Sequence, residues 1–252
     1  MKAIWIPREH GAWAMLFAAI ALAWAVPGVR GWPAAVLTVL FILGFAIQQP
    51  LRVIAGGRGG RTAVLWAVGY GAALLGGAAW LVAGCQVYVL VPLAAAGLVL
   101  TAMDLALRRR GHHRNPLVRI VGAACLTLVL PAIVAVRHPG WVSYAFGAWG
   151  LTLAYFTTRF IAIRARNEAR WRGQAADAWR SLVIASQAAL YAILIPIVAA
   201  GLVSPWLLLA FVPGSVAALR GSRASNIRAI GWLEVPHLVW FVAAVIVTYH
   251  LR

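Results

Sequence analysis

The chain has 252 residues, is 63% hydrophobic with a mean hydropathy of +0.87, and carries a formal net charge of +17 with only five acidic residues. A composition this apolar excludes an ordinary soluble domain, because one core cannot hold that much hydrocarbon surface. Nucleic acid is excluded as a partner as well, since its recognition needs a folded basic face on a soluble module.

Nine apolar runs follow one another, each read as a helix crossing a hydrocarbon core about 30 Å thick. The first, Gly11–Val26, is preceded by Lys2, Arg8, Glu9 and His10. Its end, Ala23-Trp24-Ala25, has the form of a signal-peptide cleavage site, but the charge pattern works with this helix retained, so it is counted as a span. The second, Pro33–Gln48, runs into Gln49, Pro50, Leu51 and Arg52, and then into a glycine-rich basic loop, Gly56–Arg61, that lacks the P-loop pattern. In the third, Ala63–Ala83, Ala72 and Gly76 are spaced for close helix approach. Asp104 lies at the end of the fourth, Val87–Ala106, and Arg119 near the start of the fifth, Pro116–Val136.

The sixth run, Trp141–Ile163, contains Arg159 and opens into a loop rich in arginine. The seventh and eighth, Ala178–Ala200 and Ser204–Leu219, are uncharged but for Arg180. The ninth, Ala229–Tyr249, carries Glu234 and His237 near its start. Pro131, Pro196 and Pro213 fall inside spans, as proline often does in membrane helices. Cys85 and Cys125 make no C-x-x-C pattern and read as inert thiols.

All Lys and Arg residues except Arg30, Arg137 and Arg252 fall at the N-terminus, in every second gap, or at the run ends that border those gaps, as Arg119, Arg159 and Arg180 do. By the positive-inside rule, the N-terminus and the basic gaps are cytoplasmic and the C-terminus is outside. Trp24, Trp32, Trp80, Trp141 and Trp206 mark the opposite helix ends, where an indole ring prefers the headgroup layer. The expectation is an all-α integral membrane protein: a nine-transmembrane-helix bundle in the cell's inner (plasma) membrane, forming a single polytopic domain over residues 1–252. Membrane lipids are its first partners, because anionic headgroups attract basic loops.

Ionisable residues are costly within a bilayer, and here they gather at one end of the helices. Glu9, His10, Gln49, Arg52, Arg119, Arg159, Glu234 and His237 are therefore expected to line a vestibule on the cytoplasmic side. Gln49, Arg52, Arg119 and Arg159 are its ligand-binding candidates, since a guanidinium fork matches phosphate or carboxylate oxygens without a metal. Glu9, His10, Glu234 and His237 are the candidate acids and bases, with Glu234 and His237 one helical turn apart. The expected ligand is an anionic, lipid-tailed molecule, such as an isoprenoid or lipid phosphate. The competing reading for these bland positions is snorkelling to the headgroups.

The stretch Pro7-Arg8-Glu9-His10-Gly11-Ala12-Trp13-Ala14-Met15 resembles the N-terminal signature of the YwiC-like membrane protein family, and Gln49-Pro50-Leu51-Arg52 is similar to that family too. At a coarser level the nine-helix layout resembles the UbiA prenyltransferase superfamily. That resemblance implies a ring of helices, aspartate-rich motifs after the second and sixth spans, and Mg²⁺ holding a prenyl diphosphate. The chain departs from it: the two positions read Gln48-Gln49-Pro50-Leu51-Arg52 and Tyr155-Phe156-Thr157-Thr158-Arg159, which offer no carboxylate cluster for Mg²⁺.

Three classes of function stand beside one another: a UbiA-like lipid-modifying enzyme without its aspartates, a transporter of an anionic amphiphile, and a non-catalytic membrane subunit that binds a cofactor or a protein partner. The last would use His10 and His237 for haem or a metal, with Glu9 and Glu234 as further N/O ligands. No cofactor is identified by the sequence itself, and no internal repeat favours the transporter.

Overall fold

A bilayer core offers no water to backbone N–H and C=O groups, so a chain this apolar satisfies them within helices. The computed structural model describes residues 10–29, 31–57, 60–85, 87–109, 116–172, 175–220 and 227–250. Among them every regular element is helical. In chain order these are α1 (His10–Ala25), α2 (Trp32–Ala46), α3 (Gln48–Ala55), α4 (Arg61–Ala79), α5 (Leu90–Arg109), α6 (Pro116–Thr127), α7 (Val129–Arg137), α8 (Val142–Arg172), α9 (Ala175–Ala199), α10 (Trp206–Arg220) and α11 (Ile227–His250). Only Ile47 separates α2 from α3 and only Leu128 separates α6 from α7, so the described helices form nine continuous segments where the hydropathy predicts them.

Six of these segments are long and apolar enough to cross a membrane: Trp32–Ile54, Arg61–Gly84, Leu90–Leu107, Leu117–Arg137, Trp179–Ala199 and Trp232–His250. Gly11–Ala25 and Trp206–Arg220 are apolar but shorter. The long helix α8 is diluted by Tyr, Thr and Arg159, and it continues past the expected end at Ile163 to Arg172. The reason is local: residues 164–172 are mostly Ala, Arg and Glu, all good helix formers, and nothing breaks the helix before Gly173. Along α4 and α5, Leu65, Val68, Leu75 and Leu98 are all more than 60% exposed, a surface suited to lipid and not to water.

The residues cluster into two compact units, Met1–Trp24 with Gly28–Trp149, and Ala25–Pro27 with Gly150–Arg252. In the first, α2 packs against α4 and α7, and α5 against α6. Close approach of α4 to α2 runs through Gly71, Leu74 and Gly77 rather than the expected Ala72 and Gly76. A Cβ at Gly77 would lie 2.6 Å from Leu40 Cδ2, whereas one at Gly76 meets nothing within 4 Å. With about 3.6 residues per turn, Ala72 and Gly76 lie on the opposite, exposed side of the helix from Gly71, Leu74 and Gly77. Trp32 and Trp80, both assigned to the same end from sequence, lie together with ring centroids 4.0 Å apart. Gly28 adopts φ 80°, and a side chain there would run into the His138 ring.

In the second unit α10 packs against both α9 and α11. Ala162, Val183 and Ala218 make a small buried cluster from α8, α9 and α10. Tyr155 stacks on Phe241 at 4.0 Å and 13°, and Phe211 meets both rings edge-on, which fixes the depth at which α8, α10 and α11 meet.

Candidate functional site

On α8, Tyr155, Arg159, Ala162 and Arg166 recur at helical spacing and share one face. The Tyr155 ring anchors that face, and Arg159, one turn on, is 4% exposed. A buried guanidinium must find partners, and Arg159 finds them on two helices. Its Nε donates to Glu234 Oε2 at 2.7 Å and its Nη2 to Glu234 Oε1 at 2.7 Å, a two-pronged fork onto α11. Its Nη1 donates to the Gly214 carbonyl of α10. A Cβ at Gly214 would sit 3.4 Å from Arg159 Nη1 and 3.6 Å from Tyr155 Cε2, in ordinary contact, so the helices cross closely here.

Two turns further along α8, Arg166 converges on the same carboxylate. Its Nη1 donates to Glu234 Oε1 at 2.8 Å and its Nη2 to the Ala217 carbonyl at 2.7 Å. Three guanidinium donors thus occupy Glu234, out of roughly four lone-pair positions that a carboxylate offers. Burial draws the Arg166 pKa below its ordinary value and Glu234 opposes that shift, so the group stays cationic. Two arginines on one glutamate leave a surplus positive charge.

That surplus faces a pocket of about 410 Å³, lined by Arg166 from α8, Pro213, Val216, Ala217 and Arg220 from α10, and Leu233 and His237 from α11. Two atoms on its lining residues are buried without a hydrogen bond, Arg166 Nε and His237 Nδ1. Among the described residues Arg220 makes no ion pair, and it is exposed at the end of α10. The walls are otherwise apolar. Pro213 has no N–H to give the Leu209 carbonyl, and Trp240 Nε1 of α11 donates there instead at 2.8 Å, so α10 keeps its proline without an orphaned backbone group.

Of the residues expected from sequence, the structure joins Arg159 to Glu234 and sets His237 one turn along α11. It commits Arg159 to this brace. Gln49, Arg52 and Arg119 belong to the first unit. There Arg52 Nη2 donates to Gln48 Oε1 at 3.2 Å, Gln49 is half-buried on α3, and Arg119 is exposed on α6. Glu9 lies outside the described residues, and His10 opens α1 with only its backbone described. Among the described residues no three of His, Cys, Asp and Glu come together.

Arg166 and Arg220 were missed by sequence reasoning, as was a buried polar group deeper in the second unit. There Ser215 Oγ donates to Gln187 Oε1 at 2.7 Å, and Tyr191 Oη donates to Ser215 Oγ at 3.2 Å. The signal for Arg166 was its seven-residue spacing from Arg159. The signal for the second group was Gln187 and Tyr191, four apart in an otherwise apolar span.

These features define a class: a multi-pass, all-helical membrane protein. More narrowly, the chain belongs to the YwiC-like protein family, whose match covers residues 6–134, well beyond the N-terminal signature. No curated protein and no solved structure matches it. The UbiA layout therefore gains no support from them.

Proposed function

We propose that this protein binds an anionic, lipid-tailed ligand, an isoprenoid or lipid phosphate, in the pocket between α10 and α11, at the cytoplasmic end of the bundle. The observation that carries this reading is the pocket's lining: Arg166, Arg220 and His237 at one place among Pro213, Val216 and Leu233. Cations beside apolar walls suit a charged head whose tail leaves between helices. Arg159 is the internal brace in this reading and not a ligand contact, because Glu234 and Gly214 already use its donors. Glu234 holds Arg166 in position from behind.

Native mass spectrometry of gently extracted protein tests it. The wild-type chain should retain an acidic lipid, and Arg166→Ala and Arg220→Ala should each lose it, with a cost of roughly 1.5–3 kcal/mol for each charge-assisted contact. Arg180→Ala, on the exposed face of α9, should retain it. Loss at all three positions would mean nonspecific attraction to basic surface, and retention at all three would dismiss the pocket.

A further inference from the structure

Resting on the pocket as the ligand site, we infer that the ligand's head is a phosphate monoester rather than a diester or a carboxylate. The argument is one of charge and donor number. Arg159 and Arg166 share the single carboxylate of Glu234, which leaves one positive charge, and Arg220 adds a second. Glu234 is the one carboxylate among the described side chains of the second unit. A phosphate monoester carries about −1.5 to −2 near neutral pH, which matches that surplus, whereas a diester or a carboxylate carries a single charge.

Donor geometry points the same way. Three separate polar groups line the pocket: Arg166, whose buried Nε–H has no hydrogen-bond partner, Arg220 from the end of α10, and His237 from α11. A monoester has three terminal oxygens, one for each. A diester or a carboxylate has two, so one of the three groups would be left beside the ligand without an acceptor, which is the costly outcome. The apolar side of the pocket then holds the first carbons of the tail against Pro213, Val216 and Leu233.

The test is a titration of the full-length protein in nanodiscs of uncharged lipid, with decyl phosphate, methyl decyl phosphate, decanoate and inorganic phosphate as probes. Decyl phosphate should bind roughly tenfold or more tightly than the diester or the carboxylate. Arg220→Gln should bring that ratio close to one, and Arg180→Gln should leave it unchanged. Inorganic phosphate should bind far more weakly than decyl phosphate. Equal binding of the three amphiphiles, all dependent on Arg166, would overturn the monoester and leave the anionic-ligand site standing. Binding of no amphiphile would overturn both. Inorganic phosphate binding as well as decyl phosphate would keep the monoester head and remove the lipid tail.

Discussion

Arg159 and Glu234 show what a single charged residue does within a bundle of this kind. Neither is tolerable there alone, and removing one partner of a buried pair typically costs about 3–5 kcal/mol because the other is left uncompensated. Glu234→Ala, which strands Arg159 and Arg166 together, should lower the thermal midpoint of the protein in detergent more than any exposed substitution. Adding Arg159→Met to Glu234→Met should recover part of that loss, since it removes one stranded charge. A double variant no more stable than Glu234→Met alone would contradict the brace. The pair was legible in the sequence as two ionisable residues at matching depth. That they bind each other was not, because intramembrane Arg and Glu read equally well as ligand groups, and only geometry shows the Arg159 donors turned onto the Glu234 acceptors.

At the scale of the helices, the sequence predicts where segments lie but not how they are turned. All nine segments overlap the apolar runs, and six of them are long and apolar enough to cross a bilayer. The packing face of α4 was placed on the opposite side of the helix because small residues line both sides, Gly71 and Gly77 on one and Ala72 and Gly76 on the other, and composition cannot choose between them. Gly77→Leu should therefore disrupt α2 against α4, while Gly76→Leu should be tolerated, as measured by the yield of monodisperse protein after extraction. The length of α8 was underestimated for another reason: hydropathy ends at the membrane surface, whereas helix propensity does not. Arg166 was lost with that missing extension. Trp240→Phe in α11 removes the donor that satisfies the α10 carbonyl freed by Pro213, and should cost about 0.6 kcal/mol and at most about 1.7 kcal/mol, as hydrogen bonds between membrane helices do. A thermal midpoint equal to wild type would mean that water reaches Leu209.

For the whole molecule, composition and charge alternation gave the class at once, and the N-terminal signature gave the family. The candidate site was only partly legible, because the two arginines of its pocket, Arg166 and Arg220, are hidden among arginines that topology alone accounts for. The same alternation predicts an orientation, which can be measured directly. Reporter fusions at Arg114 and Arg172 are expected to read cytoplasmic and one at Arg252 external, and a cytoplasmic reading at Arg252 would reject the nine-span topology.

The bond between Arg159 and Glu234 also imposes an order on biogenesis. Arg159 leaves the ribosome 75 residues ahead of its partner, so for that interval the membrane holds an arginine with no counter-ion from α11. A nascent chain lacking α11 is an unfinished circuit, and it is the kind of intermediate that an insertion chaperone shields or a quality-control protease removes. Chains truncated after Arg220 should turn over faster in cells than the full chain. The same truncations carrying Arg159→Leu should survive longer, and the difference would show that the last helix completes an electrostatic contract opened by α8.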